Sequence, residues 1–184
     1  ITRSKRRKLY GMVMQDVNYQ LFSRSVMEEC YLGNGEVSKG KICELLENLA
    51  LADKVRVHPI SLSGGEKQRL SIAVMLIGGK KILLLDEPTK GMDAAARQSL
   101  GKQLRALTGR GVTIVLATHD LDFAALYTEL CGMLFDGQLS PLTPSRQFFR
   151  QNRIYTTPAH RMAASCLPEA VTCGDVLAAL EVQA

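Results

Sequence analysis

Apolar residues in the first half of the chain recur with the period of an amphipathic helix. In residues 41–51 they fall at positions i, i+3, i+4 and i+7, so one face of a helix would be apolar. These positions are Ile42, Leu45, Leu46 and Leu49. A second helix is expected to begin at Gly64 and to end at the Gly78-Gly79 pair, because glycine is common where helices stop.

Two short apolar runs predict strands that are buried in a parallel sheet. Residues 82–85 are apolar without interruption and too few to form a helix, and residues 112–117 form a second run. A helix is expected between them, over residues 94–107. Strands that alternate with helices indicate a layered α/β domain with crossover connections.

The pattern is weaker towards the ends of the chain. Residues 9–14 predict a strand, and residues 121–130 predict a helix. A strand over residues 133–135 is expected to turn at Asp136-Gly137.

The chain changes character after Pro141, where prolines become frequent and the helical patterns shorten. We therefore expect an α/β domain over residues 1–140, which includes a helical subdomain at about residues 23–78, and a small C-terminal appendage over residues 141–184.

Composition and charge restrict the function only slightly. The chain has 184 residues and a net charge of +5, and no apolar run is long enough to cross a membrane. Much of the positive charge lies near the start, where no aromatic residues for base stacking are interleaved, so a solvated surface is favoured over a nucleic-acid site. These basic residues are Arg3, Lys5, Arg6, Arg7 and Lys8. The five cysteines form no C-x-x-C pair, which favours free thiols.

A glycine pair precedes the second predicted helix, in the sequence L-S-G-G-E-K-Q-R. Gly64 and Gly65 would let the backbone approach a phosphate, and the helix N-terminus favours an anion. Ser63 adds a hydroxyl donor. For Ser-Gly-Gly alone, however, an ordinary helix cap is the better interpretation.

Acidic residues follow the first buried strand, where ligands bind in open α/β sheets. Asp86 is placed like a carboxylate that holds Mg²⁺ through water, and Glu87 could act as the general base that activates a water molecule. His119 ends the next strand, within expected reach of a γ-phosphate, and the amide of Gln15 follows the first strand. Asp93 lies just beyond the acid pair. Taken singly, each has a structural interpretation, such as a solvated strand end.

Together, the order and spacing of these motifs resemble the ABC ATPase family over nearly the whole chain. The resemblance implies a P-loop NTPase-like ABC ATPase fold, with ATP and Mg²⁺ as ligands. It implies that Glu87 and His119 are catalytic and that Asp86 and Gln15 manage Mg²⁺. The positions implied to contact nucleotide are Gln15, Ser63, Gly64, Gly65, Glu66 and Asp93. In this family, the segment L-S-G-G-E-K-Q is called the signature motif, and the signature motif of one subunit closes over the ATP of its partner.

The segment Q-D-V-N-Y-Q-L-F, residues 15–22, is similar to the extended Q-loop of energy-coupling factor (ECF) importers. The segment from Tyr155 onward is similar to the second half of their fused tandem ATPases. This resemblance implies uptake of a vitamin or a transition-metal ion at the cytoplasmic face of the cell membrane. The implied partners are a second ATPase domain, a transmembrane coupling protein and a substrate-binding membrane component, without nucleic acid. Residues 15–31, among them Val17, Leu21 and Phe22, would accept the coupling helices, although core packing explains these apolar residues equally well.

The family's phosphate-binding loop, G-x-x-x-x-G-K-[ST], does not precede Gln15 in this sequence. We therefore expect that the chain is N-terminally truncated and that it alone binds ATP weakly and is inactive. The near match over residues 35–42 has Ile42 in place of the hydroxyl residue and is expected to lead into the amphipathic helix. Two alternatives remain open: a soluble ABC ATPase that acts on the ribosome or DNA, and a non-catalytic half that supports an active partner.

Overall fold

A computed structural model of the chain describes residues 8–32, 34, 37–152 and 154–182. Of the basic cluster near the start, Arg3, Lys5, Arg6 and Arg7 lie outside these residues. The chain forms two compact units, and the boundary between them falls between Thr118 and His119. The division at residue 140 that the sequence suggests stays a prediction.

A parallel sheet forms the centre of the first unit. Its strands are β1 (Tyr10–Val13), β2 (Ile82–Asp86) and β3 (Thr113–Ala117), in the order β1-β2-β3. The α/β class with a parallel sheet is confirmed. All three strands match the predicted positions to within one residue at each end.

Burial differs between the two strands that were predicted to be buried. In β2, Leu83 and Leu85 are buried and the alternate residues are half-buried. For β3, the prediction of a buried strand is wrong, because Val115 is 54% exposed. The reason is that one face of β3, which carries Thr113, Val115 and Ala117, is left uncovered by the described part of the chain, so all three residues are exposed.

The described residues around this sheet include the following helices and three short 3₁₀ turns. The helices are α1 (Val26–Tyr31), α2 (Lys39–Asn48), α3 (Gly64–Ile77) and α4 (Ala94–Gly109). The 3₁₀ turns are Val17–Gln20, Ala52–Lys54 and Pro59–Ser61. The helices predicted to start at residues 64 and 94 are confirmed, and α1 was not predicted.

Helix α2 begins two residues earlier than predicted and ends at Asn48. Ser38 caps it by accepting a hydrogen bond from the N–H of Lys41, at 3.4 Å. Ile42 and Leu46 are fully buried, which confirms the apolar face. Gly40 and Lys41 are therefore helical residues rather than parts of a phosphate loop, while Gly35 and Glu36 lie outside the described residues.

Strand β1 packs closely against α3 at Gly11. A Cβ atom at this position would lie 2.7 Å from the Sδ atom of Met75, closer than real contacts allow. Any other residue here would force the Met75 side chain to shift, so glycine suits the close approach of strand and helix.

The second unit combines short helices with short antiparallel strand pairs. Its helices are α5 (Leu121–Tyr127), α6 (Ser145–Gln151), α7 (Pro158–Ala163) and α8 (Cys173–Glu181). Its strands are β4 (Leu130–Cys131), β5 (Leu134–Phe135), β6 (Gln138–Leu139) and β7 (Thr143–Pro144), and β4 pairs with β7 and β5 with β6. Ala124, Phe149 and Val171 form its buried core.

Two predictions for this unit have different outcomes. The turn at Asp136-Gly137 is confirmed, and both residues have positive φ angles, 47° and 73°, as a tight hairpin turn requires. The helix predicted over residues 121–130 is too long, because Thr128 ends it. Both the N–H and the hydroxyl of Thr128 donate to the carbonyl of Ala124, and the chain then becomes extended.

All five cysteines are free, as predicted. Burial raises the pKa of the Cys30 thiol to about 12, with a further contribution from Glu29 beside it. This thiol therefore stays protonated and unreactive.

Candidate active site

The register of the parallel sheet brings three of the predicted site residues to one edge. Val13 of β1 lies opposite Leu85 of β2, and both strands run in the same direction. Gln15 and Glu87 each come two positions after this pair. Gln15, Asp86 and Glu87 therefore lie beyond the carboxyl ends of neighbouring strands, where open α/β sheets bind ligands.

The backbone turns sharply at Glu87, directly after β2. Its φ angle is 45°, in the left-handed region that residues with a Cβ atom rarely adopt. The N–H of Glu87 donates to the carbonyl of Ala117 at 2.9 Å, which extends the pairing with β3 beyond Asp86. The ladder thus holds the strained residue in place.

A threonine from the neighbouring strand end orients the Glu87 carboxylate. The hydroxyl of Thr118 donates to Oε2 of Glu87 at 3.2 Å, and the Glu87 side chain is half-buried. The sequence did not predict this contact. Its signal was the position of Thr118 just after a strand that pairs with β2.

The structure gives Asp93 a local role and leaves the role of His119 a prediction. The side chain of Asp93 caps α4 by accepting from the N–H of Ala96 at 2.7 Å. His119 is exposed and is the first residue of the second unit. Nucleotide contacts by these two residues stay predictions.

At the start of α3, Ser63 and Glu66 form a capping box. The N–H of Ser63 donates to Oε2 of Glu66 at 2.8 Å, and the N–H of Glu66 donates to the Ser63 hydroxyl at 3.3 Å. The hydrogen bond from the Ser63 N–H is the main cause that lowers the pKa of Glu66. The Ser63 hydroxyl thus accepts from the N–H of Glu66, and the Ser63 side chain also hydrogen-bonds to the Glu66 carboxylate, which lowers the pKa of Glu66 further.

The fold itself does not require the two glycines within this box. Neither Gly64 nor Gly65 has a positive φ angle. A Cβ atom at Gly64 would meet nothing within 4 Å, and one at Gly65 would make only ordinary contacts of 3.6 Å or more. Glycine in a helix costs about 0.5–1 kcal/mol relative to alanine, so the pair points to a demand other than folding.

The oxygen ligands at the sheet edge suit Mg²⁺ in kind. Asp86 offers a carboxylate and Gln15 an amide oxygen, which are typical magnesium ligands. Among the described residues, no group of three or more His, Cys, Asp or Glu side chains could hold a metal ion. An ion here would therefore need further oxygens, such as those of phosphates.

Two aromatic side chains are exposed in and just after the 3₁₀ turn Val17–Gln20. Tyr19 is 72% exposed and Phe22 is 73% exposed, whereas Val17 is buried and belongs to the core. The buried carboxylate of Glu29 accepts from the N–H groups of Phe22 and Ser23 at 2.8 and 2.7 Å. Glu29, which sequence reasoning missed, thereby fixes the segment that presents Phe22.

None of the described helices is long and apolar enough to cross a membrane.

The family model for ABC transporters matches residues 1–90. An ABC transporter ATP-binding protein of Bacillus anthracis is 37% identical over 98% of this chain and 34% of its own length. The energy-coupling factor transporter ATP-binding protein EcfA of Methanosphaera stadtmanae is 31% identical over 80% of this chain and 55% of its own length.

A solved structure supports the same fold. CbiO1 of Clostridium perfringens, part of the ABC transporter complex CbiONQ, aligns with a TM-score of 0.75 and 28% identity. The alignment covers 91% of this chain and 68% of that one. The fold is therefore that of a P-loop NTPase-like α/β domain.

The chain belongs to the ABC transporter ATPase family. It spans about a third of the length of the first curated relatives that it matches.

Proposed function

We propose that this chain is part of the ATP-binding and ATP-hydrolysing subunit of an ABC-type importer of the energy-coupling factor group. One observation carries the proposal: Asp86 and Glu87 end a central parallel strand, with Thr118 hydrogen-bonded to the Glu87 carboxylate. This arrangement provides a base whose orientation is fixed by the sheet. The relative named EcfA supports the importer group.

In the proposed reaction, Glu87 accepts a proton from a water molecule as the water attacks the γ-phosphorus of ATP. The bond between the γ-phosphorus and the β,γ-bridging oxygen breaks, which yields ADP and inorganic phosphate. Thr118 keeps the Glu87 carboxylate at one orientation during this proton transfer. His119 would steady the γ-phosphate.

Asp86 and Gln15 would hold the Mg²⁺ that accompanies ATP, directly or through water. When bound, this ion neutralises developing charge on the phosphate oxygens. Both residues lie at the edge where the strands of the sheet end, which suits a ligand that is shared with a nucleotide.

The turn at Ser63-Gly64-Gly65 would contact the ATP that is held mainly by a second ATPase domain. The bare glycines allow close approach, and the N–H groups of the first turn of α3 favour negative charge. Two such domains would close around two nucleotides and reopen after hydrolysis, with Asp93 and Glu66 lying near the contact.

The exposed Tyr19 and Phe22 would accept a coupling helix of a transmembrane partner at the cytoplasmic face of the membrane. A substrate-binding membrane component would select the cargo, for which the family resemblance suggests a vitamin or a metal ion. ATP-dependent uptake into vesicles that carry the purified complex tests this role. Hydrolysis without any uptake would instead favour a soluble ATPase.

Replacement of Glu87 by Gln tests the catalytic assignment. The amide keeps the shape of the side chain and an oxygen for Thr118 but cannot accept the proton. In the full chain with its partners, we expect ATP to stay bound and the hydrolysis rate to fall about 10²–10⁴-fold. Phosphate release and nucleotide retention measure these effects.

Glu47→Gln is a matched control, because Glu47 is an exposed residue of α2 far along the chain from the acid pair. We expect this variant to hydrolyse ATP normally. Near-normal turnover of Glu87→Gln would show that the base lies elsewhere and would refute the assignment.

A further inference from the structure

The side chain of Gln20 hydrogen-bonds to the backbone at the end of β1. Its Nε2 donates to the carbonyl of Met12 at 2.9 Å, and its Oε1 accepts from the N–H of Met14 at 2.8 Å. The other side of β1 pairs with β2. The primary amide therefore supplies the donor and acceptor that a further strand would supply, and it does so at the last residues before Gln15.

These two hydrogen bonds close a short loop that begins with Gln15. Met14 and Gln20 are six positions apart, and the Gln20 amide joins the two ends of the segment between them. Within the loop, Asp16 accepts from the N–H of Asn18 at 3.0 Å and caps the 3₁₀ turn. The path of the backbone at Gln15 is thus set by side chains further along the chain.

A second contact ties the middle of this loop to α3. Nζ of Lys67 donates to Oδ1 of Asn18 at 2.9 Å. Lys67 lies in the first turns of the helix that begins at Gly64. The loop is therefore held at its ends by Gln20 and at its centre by the helix that carries the glycine pair.

The Gln15 side chain itself is exposed and, within the described part of the chain, forms no hydrogen bond. It is thus available to a ligand, and the path of the backbone sets where this side chain starts. A shift of the loop would move this amide relative to Asp86, whose position is fixed by the sheet.

We propose that Gln20 is a positioning residue that places the Gln15 amide for Mg²⁺ and nucleotide. The proposal rests on the proposed function, in which Gln15 holds Mg²⁺. Gln20 itself is assigned no ligand contact. Gln20 acts through Gln15, whereas a residue that only stabilises the fold would act independently of it.

The test uses the full chain with its partners and measures the Mg²⁺ concentration that gives half-maximal ATP hydrolysis, together with the thermal midpoint of unfolding. Gln20→Glu keeps the side-chain length but replaces the donor to Met12 with an oxygen. We expect Gln15→Ala to raise the required Mg²⁺ about tenfold and Gln20→Glu to raise it about fivefold, as for loss of one hydrogen bond.

The double variant decides between positioning and general stabilisation. If Gln20 acts through Gln15, adding Gln20→Glu to Gln15→Ala leaves the Mg²⁺ requirement unchanged. If the two effects multiply, or if Gln20→Glu lowers the midpoint without changing the Mg²⁺ requirement, the proposal is wrong. Gln20→Met removes both hydrogen bonds without adding charge, and it must raise the Mg²⁺ requirement as Gln20→Glu does.

Gln98→Glu is the matched control for the added charge, since Gln98 is exposed on α4. We expect it to leave the Mg²⁺ requirement at the wild-type value. If Gln15→Ala changes the requirement and Gln20→Glu does not, only the positioning proposal fails. If Gln15→Ala has no effect, the role proposed for Gln15 fails, and the positioning role fails with it.

Discussion

Helices α3 and α8 begin with the same local device, a capping box, in two different units. In α3 the box joins Ser63 and Glu66, and in α8 it joins Thr172 and Asp175. Corresponding positions are the caps, the first residues Gly64 and Cys173, and the second residues Gly65 and Gly174. The pair therefore allows the structural role of a cap to be separated from any additional role.

The two boxes differ in how fully their carboxylates are satisfied. Asp175 accepts from the N–H groups of Val171 and Thr172 at 2.9 and 2.8 Å and pairs with Arg146 at 3.1 Å. Burial raises the pKa of Asp175, but these hydrogen bonds outweigh it and lower the pKa to about 2.

Glu66 accepts from one N–H group, that of Ser63, and its cationic neighbour Lys54 lies 3.7 Å away. Both boxes thus have a cationic partner, Arg146 in α8 and Lys54 in α3, but only the box of α3 contains two glycines. A capping box therefore explains the start of a helix but not why two glycines follow Ser63.

We expect the strongest change in ATP hydrolysis from a carboxylate placed in the first turn of α3. Gly64→Asp and Cys173→Asp place the same charge at the same position of the two helices, where it favours the helix dipole. Both variants should keep the wild-type midpoint of unfolding or exceed it. Hydrolysis should fall about 100-fold in Gly64→Asp only, because the charge repels phosphate. Equal rates of hydrolysis in the two variants would show that the start of α3 has no role in hydrolysis that the start of α8 lacks.

A smaller effect is expected from removing each cap. Ser63→Ala and Thr172→Ala should each lower the free energy of unfolding by about 1 kcal/mol in denaturant titrations. Ser63→Ala should in addition reduce hydrolysis about tenfold, as for loss of one hydrogen bond to phosphate. A tenfold loss in Thr172→Ala as well would indicate that stability alone explains both results.

The smallest effect that we expect is a dependence of folding stability on pH. Because folding lowers the pKa of Asp175 from 3.8 to about 2, its stabilisation is complete above pH 3.8 and is lost as the pH falls through about 2. Asp175→Asn should therefore be less stable than the wild type by about 0.5–1 kcal/mol at neutral pH, since partial exposure screens the charge.

This difference should disappear near pH 2, and urea unfolding at several pH values measures it. For Glu66→Gln the sign is the same, because the pKa of Glu66 is also lowered. A difference that grows on acidification would contradict the assignment of these carboxylates.

The elements that the sequence predicts well are those whose signals are local. The run at residues 82–85, the turn at Asp136-Gly137 and the helix start at Gly64 each depend on a few neighbouring residues, and the structure confirms them. The strand β3 was predicted to be buried because an apolar run does not show whether both faces of the strand will be covered. Its exposure depends on which elements pack on each face, which is a property of the fold.

The same division applies to the candidate site. Asp86, Glu87 and Gln15 follow from strand ends and motif order, and the structure places them at one edge. The contacts that orient them could not be predicted, since Thr118 reaches Glu87 across 31 positions of the chain and depends on strand register. Gln20 was overlooked because a glutamine in a polar turn has no pattern of its own.

The left-handed backbone at Glu87 gives this position diagnostic value. A glycine or asparagine would relieve the conformational cost of about 1–3 kcal/mol, so selection for a more stable chain alone would replace the glutamate. The presence of a glutamate here points to a demand for its carboxylate that outweighs that gain. Among related chains, the residue at this turn should distinguish subunits kept for turnover from subunits kept only as scaffolds.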